Sequence, residues 1–309
     1  MMALPFTTLN VFTETPFKGN PLAVVMIPPG VVLTQAQKQF IAREFNLSET
    51  VFVHDVENPA TTGERRFDIF TPQVEIPFAG HPTIGTAVFL QPHGVRTLLA
   101  KAGPINIEPA ANGALRAAIP HNVRLHQRRL PGPDPGSFPA SQAKIARAER
   151  LAPLFSIVKG MTFALIELPS LELLGAVWVG ALPELPSELL DEGWRDGWVT
   201  RRYYFVRLGS EWISGRTVHR IRTRMVNQTI EDPATGSAAC ALSSYLCLHE
   251  LEEQSVTFEI TQGVEMGRDS NILIDVEVSK ALDRARKLEA LHLGGKAVTV
   301  MSGSIAAQP

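Results

Sequence analysis

The sequence has few cysteines and lacks the short motifs of the common cofactor sites. Its 309 residues include two cysteines, Cys240 and Cys247, which favours a reducing compartment over a disulfide framework. No HExxH, CxxC, GxGxxG, GxxxxGK or GxSxG pattern occurs, so zinc, nucleotide and serine-hydrolase sites have no support in the sequence. The sequence therefore predicts chemistry without a metal or another cofactor, and we interpret both cysteines as small buried residues.

The chain also lacks an excess of charge and long apolar runs. It has 29 Lys and Arg against 31 Asp and Glu, a formal net charge of −2, which gives no reason to expect nucleic acid or an anionic membrane surface as a partner. No stretch approaches the ~18 apolar residues of a membrane-spanning helix, and residues 1–20 do not resemble a secretory signal. We therefore expect a cytoplasmic protein with no membrane partner.

Two short segments, about half the chain apart, share one pattern. Residues 81–87 read HPTIGTA and residues 232–238 read DPATGSA. Proline, glycine, a hydroxyl residue and alanine recur at the same offsets, and each segment leads into an apolar stretch with helical spacing. This repeat predicts two halves built on one plan. The first position differs, because His81 stands in one copy and Asp232 in the other, which suggests acid–base chemistry between the halves.

The pattern of apolar residues predicts an α+β fold with two domains. Short strands alternate with few helices. The helices expected at about 83–91 and 238–249 are apolar on every face, so each must be buried on every face. We therefore predict two pseudo-symmetric domains, each a barrel-like mixed sheet around a central buried helix.

The predicted boundaries follow from composition. The first domain spans 1–125, with the strand-like tail 296–309 as a candidate to complete it, and the second spans 126–295. The proline-rich segment 130–139 is the best connecting loop, because four prolines and two glycines exclude a helix or a central strand. Further predicted elements are strands at 7–12, 22–27, 49–53 and 65–70, a helix starting at Thr34, and a loop-and-helix insertion at 183–197 with Trp194 and Trp198 nearby.

The repeated segments supply most of the candidate site residues. His81 and Asp232 each precede a proline, which is favoured at the first helical position, so both are expected near the start of a buried helix. Simple N-capping remains an alternative for Asp232, whereas histidine is a poor cap. The backbone amides at these helix starts are candidates to hold a substrate carboxylate: Gly85, Thr86, Gly236 and Ser237.

Glu49 is a further candidate, because it lies where the first predicted helix gives way to an apolar strand. Read alone, this position fits an ordinary exposed acid better than a catalytic group. A carboxyl group partly buried beside apolar neighbours would have a raised pKa, which suits a group that shuttles protons.

With these residues the sequence resembles the phenazine-biosynthesis PhzF-like family of the diaminopimelate epimerase-like fold superfamily. The resemblance extends over essentially the whole chain. It rests on five ordered motifs: 11–13 with 19–24, 46–52, 78–85, 231–238, and 262–263 with 266–268.

The resemblance implies two similar domains with the active site between them, a homodimer and no cofactor. In the founding member a glutamate moves a proton between two carbons of dihydro-hydroxyanthranilate, and that glutamate matches Glu49. The accompanying histidine and aspartate match His81 and Asp232. The matching serine and glycines are Ser237, Gly80 and Gly236. The epimerase branch instead uses two cysteines at the helix starts, where this sequence has none.

We therefore predict a cofactor-independent isomerase that acts on a small carboxylate-bearing, anthranilate-like molecule. Glu49 would be the base and then the acid, while His81 and Asp232 orient the substrate. Two alternatives remain open: an amino-acid racemase or epimerase without thiols, and a catalytically silent small-molecule-binding protein.

Overall fold

The computed structural model describes residues 2–57, 62–132, 138–180, 183–197, 200–227, 230–280 and 286–307. These residues form five α-helices: α1 (Gln35–Phe45), α2 (Gly80–Leu90), α3 (Ala143–Glu149), α4 (Leu171–Gly175) and α5 (Gly236–His249). They also form eighteen strands: β1 (Met2–Val11), β2 (Asn20–Ile27), β3 (Thr50–His54), β4 (Glu64–Phe70), β5 (Glu75–Ile76), β6 (Thr97–Ala100), β7 (Gly103–Pro109), β8 (Leu115–Ala118), β9 (Arg124–Arg129), β10 (Pro153–Val158), β11 (Met161–Glu167), β12 (Arg201–Ile213), β13 (Arg216–Asn227), β14 (Ile230–Asp232), β15 (Ser255–Gln262), β16 (Ser270–Lys280), β17 (Arg286–Gly295) and β18 (Ala297–Ala307).

The chain divides into two compact units. The first comprises Met1–Ala118 with Leu293–Pro309, and the second comprises Ile119–His292. The sequence prediction divided the chain at 125/126 and at 295/296 instead. Both units contain parallel and antiparallel strand pairs together with fewer helices. The predicted α+β class with mixed sheets is therefore confirmed.

Strand β1 lies in the interior of the first unit's sheet, with an antiparallel partner on each side. It pairs with β2, where Leu9 faces Leu22, and with β18, where Leu4 faces Ile305. Strand β2 then pairs in parallel with β3, and β3 pairs antiparallel with β4. The predicted strands at 7–12, 22–27, 49–53 and 65–70 correspond to β1 to β4, and the strand-like tail is β18.

Helix α1 makes the crossover between the parallel strands β2 and β3. Thr34 caps its N-terminus, and Thr34 and Gln37 form a reciprocal capping box, which satisfies amides that have no acceptor within the helix. Asn46 ends it in the left-handed conformation, which asparagine tolerates better than most residues. Ile41 and Ala42 pack into the unit's apolar cluster. Glu49 therefore lies in the short connection between this helix and β3.

Helix α2 is buried almost all round, as its apolar sequence predicts. It lies against β1, β2, β3 and β18, and Gly80 to Ala87 are all buried. Gly85 permits the close approach, because a Cβ there would lie 2.5 Å from Leu22 Cδ2 and 2.7 Å from Val11 Cγ2. The backbone of α2 at Gly85 therefore packs directly against the side chains of Leu22 and Val11.

Helix α5 is the long buried helix of the second unit. The strands of this unit run β10–β11–β12–β13–β15–β16, with parallel pairs at β11–β12 and β13–β15. Helix α5 lies against β10, β11, β15 and β16, and Ala238 to Cys247 are buried without interruption. Strand β14 forms a short hairpin partner for the end of β13, and this hairpin places Asp232 next to the start of α5.

The two loops singled out by composition are only partly among the described residues. Residues 133–137 of the proline-rich segment lie outside them, and Leu130 pairs through its backbone with Leu151 and Ala152. In the predicted insertion a short 3₁₀ turn spans Ser187–Leu189. Trp194 packs edge-on against His126, with ring centroids 6.0 Å apart, while Trp198 lies outside the described residues. None of the helices in the described ranges has the length and apolarity needed to cross a bilayer.

Candidate active site

The structure brings together Glu49 and His81, two of the three predicted catalytic residues. His81 Nδ1 lies 3.6 Å from Glu49 Oε2. This distance is longer than a hydrogen bond but short enough for an ion pair when the imidazole is protonated. The side chains of His81 and Glu49 are 6% and 13% exposed. A carboxylate and an imidazole that are mostly shielded from water can exchange a proton with a bound molecule and with each other.

His81 occupies the first turn of α2. The helix begins at Gly80, with Ala79 as its N-cap, and the first helical hydrogen bond runs from the Thr83 amide to the Ala79 carbonyl at 3.3 Å. Pro82 is therefore the third helical residue. Amides before Thr83 precede the regular i→i−4 pattern and are directed out of the helix start.

This start corrects the prediction for Gly85 and Thr86. The sequence predicts a helix from Thr83, which would put both residues in the first turn. They lie in the second turn instead, where the regular pattern uses backbone amides within the helix. Gly85 serves helix–sheet packing, and the backbone amides at the start of α2 are those of Gly80 and His81.

Asp232 is the last residue of β14 rather than a helix cap. The N-cap of α5 is Thr235, so the simple capping interpretation of Asp232 is wrong. Asp232 Oδ2 accepts a 2.7 Å hydrogen bond from the Thr235 hydroxyl. Gly236 and Ser237 are the first two helical residues, and the first helical hydrogen bond runs from Ala239 to Thr235. The amides of Gly236 and Ser237 are therefore in the position predicted for them.

Sequence reasoning missed a buried polar network behind Asp232. Gln262, at the end of β15, bonds to the Asp232 carbonyl at 2.8 Å and to the Thr235 hydroxyl at 2.9 Å. The Tyr203 hydroxyl donates to Gln262 Oε1 at 3.1 Å. Burial is the main cause that raises the pKa of Tyr203 above its usual value, and the charge of Asp232 adds to it. Gln262 belongs to one of the recognised motifs, but its motif gives no sign of these partners.

Glu231, the residue before Asp232, forms a buried ion pair with Arg224. Arg224 of β13 donates from Nε and Nη2 to the two carboxylate oxygens of Glu231 at 2.7 and 2.8 Å. Its Nη1 donates to the carbonyls of Leu174 and Val177 at the end of α4, both at 2.9 Å. The two-point geometry fixes the β14 hairpin relative to α4.

A second cluster in the same unit resembles a serine–histidine–aspartate triad but has the wrong hydrogen-bond direction. The Asp191 amide donates to His126 Nδ1 at 3.1 Å, so Nε2 carries the proton and donates to Ser156 Oγ at 2.8 Å. An activating base must accept the serine proton instead. Burial lowers the pKa of His126, and Ser156 is fully buried. The cluster is therefore a structural anchor for the 187–196 segment.

The two cysteines are also structural. Cys240 and Cys247 are buried in α5, and burial raises the pKa of the Cys247 thiol to about 12 and that of Cys240 further. Both thiols thus stay protonated and unreactive at neutral pH. Among the described residues, no group of three or more His, Cys, Asp or Glu side chains is arranged to hold a metal ion.

Comparisons with known proteins agree with this architecture. The sequence pattern of the phenazine biosynthesis-like protein family, PhzC-PhzF, matches residues 9–149 and 213–303. A trans-2,3-dihydro-3-hydroxyanthranilate isomerase of Pseudomonas fluorescens is 32% identical, with 97% of this chain and 98% of that protein covered. An uncharacterized isomerase of Mesorhizobium japonicum is 31% identical, with 99% of each chain covered.

Solved structures show the same fold. A phenazine biosynthesis protein of the PhzF family from Bacillus anthracis superposes with a TM-score of 0.71 at 21% identity, covering 99% of this chain and 100% of that one. A probable proline racemase from Agrobacterium radiobacter superposes with a TM-score of 0.57 at 12% identity, covering 99% and 94%. The full-length relatives make this protein an enzyme of the isomerase class. The chain belongs to the phenazine biosynthesis-like protein family, PhzC-PhzF.

Proposed function

We propose that this isomerase moves a proton between two carbons of a small, carboxylate-bearing, anthranilate-like substrate, without a cofactor. The observation that carries the proposal is the Glu49–His81 pair, with 3.6 Å between Oε2 and Nδ1 in largely buried surroundings. The relative from Pseudomonas fluorescens is named for trans-2,3-dihydro-3-hydroxyanthranilate. This compound is therefore the first substrate to test.

Glu49 is the group that carries the proton. Its carboxylate removes a proton from an sp³ carbon of the substrate, and the electron pair left behind shifts through the adjacent double bond. The Glu49 carboxylic acid then returns the proton to the carbon at the far end of that system, so that no atom is gained or lost. His81, at 3.6 Å, holds Glu49 in place and stabilises its charged form when the imidazole is protonated.

Backbone amides bind the substrate carboxylate in this proposal. Gly80 and His81 begin α2, and Gly236 and Ser237 begin α5. Such first-turn amides, together with the helix dipole, favour a negative charge. Asp232 orients an amine or hydroxyl group of the same molecule.

We further propose that one substrate molecule contacts Glu49 and His81 as well as Asp232 and Ser237. In this proposal the two units are pseudo-symmetric, barrel-like sheets around α2 and α5, in a cytoplasmic homodimer whose ligand is a small molecule and not nucleic acid. Substrate analogues that crosslink to Glu49 and to Ser237 in the same protein molecule would support this arrangement, whereas labelling of one residue alone would count against it.

The decisive experiment replaces Glu49 with Gln. We expect kcat/KM for trans-2,3-dihydro-3-hydroxyanthranilate to fall by about 10²–10⁴-fold, because a positioned general acid–base group contributes that much. Glu44→Gln, at an exposed position of α1, is the matched control and should keep the parent rate. In heavy water the parent enzyme should place deuterium on a carbon of the product.

Two outcomes would contradict the proposal. A Glu49→Gln variant with the parent rate would remove Glu49 from the mechanism. Absence of turnover and of carbon–hydrogen exchange in the parent enzyme, with hydroxyanthranilate-type acids in general, would remove the substrate class. Deuterium at Cα of a free amino acid would then point to the racemase alternative.

A further inference from the structure

The Gln262 side chain lies behind the turn that leads from Asp232 into α5, and its amide has one defined orientation. Oε1 accepts from the Thr235 backbone amide at 3.3 Å, and Nε2 donates to the Asp232 carbonyl at 2.8 Å. A backbone N–H can only donate and a carbonyl can only accept. The two ends of the Gln262 amide are therefore distinguished by their partners, and a flipped amide would lose both bonds.

This orientation also sets the direction of the Thr235 hydroxyl. Gln262 Nε2 lies 2.9 Å from Thr235 Oγ1 and can only donate to it. The hydroxyl proton must point elsewhere, and Asp232 Oδ2 accepts it at 2.7 Å. The result is a directed chain of hydrogen bonds from Gln262 through Thr235 to one carboxylate oxygen of Asp232.

The far end of the chain is anchored by a fully buried tyrosine. The Tyr203 hydroxyl lies 3.1 Å from Gln262 Oε1 and 3.0 Å from Thr223 Oγ1. Tyr203, Thr223 and Gln262 are all 0% exposed. If one of these side chains is removed, water therefore cannot replace its hydrogen bonds without a change in packing.

The backbone of the next residue fits the same turn. Gly263 has a φ of +78°, and a Cβ there would lie 2.6 Å from the Pro233 carbonyl oxygen and 2.6 Å from the Arg268 carbonyl oxygen. Only glycine combines this conformation with this close approach. The Gln262-Gly263 dipeptide thus meets the 232–235 turn both through side-chain bonds and through backbone contact.

We propose that Gln262 is a positioning residue for the reaction, which acts through Thr235 to fix the rotamer of Asp232, and that Gly263 holds the turn in register with it. The inference rests on the proposed function in taking Asp232 as a group that contacts the substrate. It assigns a role to a dipeptide that the acid–base mechanism leaves unused.

The first test does not depend on activity. Hydrogen–deuterium exchange of the amides of residues 234–237 should become at least tenfold faster in Gln262→Met and in Thr235→Val. Thr162→Val is the matched control, because Thr162 also has a buried hydroxyl, bonded at 2.6 Å to Ser156, in a network that leads to His126 instead. Thr162→Val should leave the exchange rates of the 234–237 amides unchanged, even if it lowers thermal stability as much as Gln262→Met or Thr235→Val does.

The second test uses turnover and a double-mutant cycle. We expect Thr235→Val to lower kcat/KM by about 10–100-fold, the equivalent of one hydrogen bond to a charged group. Thr235→Ser keeps the hydroxyl, so its kcat/KM should stay within about threefold of the parent value. The kcat/KM of the control Thr162→Val should also stay within about threefold of the parent value. In an Asp232→Asn background Thr235→Val should have no further effect, whereas an effect through general destabilisation would multiply with it.

The outcomes separate this inference from the proposed function. Unchanged exchange at 234–237 in Thr235→Val, or independent multiplication of the Asp232→Asn and Thr235→Val effects, would overturn the positioning role even where Glu49→Gln confirms the mechanism. A parent enzyme without turnover would defeat the proposed function, while faster exchange in the variants would still support the structural chain. If Gln262→Met does not fold, Thr235→Val carries both tests.

Discussion

Asp68 of β4 is a carboxylate held in the interior of the first unit by two basic side chains. Lys38 Nζ donates to its Oδ2 at 2.5 Å, and His54 Nε2 lies 2.7 Å from the same oxygen. Burial alone would raise the pKa of Asp68, but the hydrogen bonds from His54 and Lys38 outweigh it and hold that pKa far below its usual value. The ionised form of Asp68 therefore contributes to folding stability.

The expected consequence is a loss of stability in acid. Because the pKa of Asp68 is lower in the folded protein, its contribution is fully present well above the unfolded pKa of about 3.9 and is lost as the pH falls through that value toward the folded pKa. Asp68→Asn should lower the free energy of unfolding at pH 7 by about 3–5 kcal/mol, because it leaves Lys38 buried without its counter-charge. Urea unfolding at pH 7 and at pH 3 measures both effects.

A double variant supplies the control. Lys38→Met combined with Asp68→Asn should recover most of the stability lost in Asp68→Asn, since both charges are then absent. An Asp68→Asn variant that is equally destabilised at pH 7 and pH 3 would show that the carboxylate charge is not the cause.

At the residue scale, the sequence could identify side chains with chemical function but not the residues that hold them. Glu49 and His81 stood out through a local pattern and a family motif, and the structure places them 3.6 Å apart. Gln262 and Thr235 are 27 positions apart in the chain. Their hydrogen bond depends on the return of β15 to the end of β14, and no local pattern encodes that approach. The network behind Asp232 therefore required the fold.

At the scale of the helix, the same proline–glycine pattern gives two different starts. Pro82 is the third residue of α2, whereas Pro233 precedes α5 by three residues. Pro82 fits in the first turn because amides there have no acceptor within the helix and a missing N–H costs nothing. Pro233 lies outside α5, so no helical hydrogen bond requires an N–H at this position. Complete burial could be predicted from composition, but the first residue of each helix could not.

Gly85 of α2 gives a prediction at this scale. Alanine in a helix interior is about 1 kcal/mol more favourable than glycine, but here its Cβ would lie 2.5 Å from Leu22 Cδ2 and 2.7 Å from Val11 Cγ2. Overpacking of a core costs about 1–3 kcal/mol, so Gly85→Ala should lower the free energy of unfolding. Chemical denaturation measures the change.

Two companion variants test that explanation. Gly175→Ala, where a Cβ would have no atom within 4 Å, should be neutral or slightly stabilising. Leu22→Val should partly rescue Gly85→Ala, because it removes the methyl group nearest to the new Cβ. A stable Gly85→Ala protein would show that the sheet yields at this point and that the glycine is not needed for packing.

At the scale of the whole molecule, the first unit takes its strands from both ends of the sequence. Strand β18 pairs with β1 along its length, from Met2 with Ala307 to Val11 with Ala297. The alternating pattern of the tail predicts a strand, but its partner lies almost 300 positions away, so the pairing could not be read from the sequence. The second unit is continuous in the chain and has its own apolar cluster, which includes Leu154 and Leu174.

Deletion of residues 297–309 should therefore loosen the first unit selectively. Hydrogen exchange of the amides in β1 should lose protection, because half of the strand's pairing is removed, while amides of β12 and β13 should keep theirs. Leu154→Ala is the converse control, since Leu154 is fully buried in the cluster of the second unit. Equal loss of protection in both units after the deletion would show that they unfold as one.

The pairing of β1 with β18 also determines when the first unit can complete its sheet during synthesis. A ribosome makes β1 before β18, so one edge of β1 remains unpaired while residues 119–292, which form the second unit, emerge between them. An open strand edge is a site of aggregation. That edge of β1 is therefore open to pairing with other chains until β18 has been synthesised.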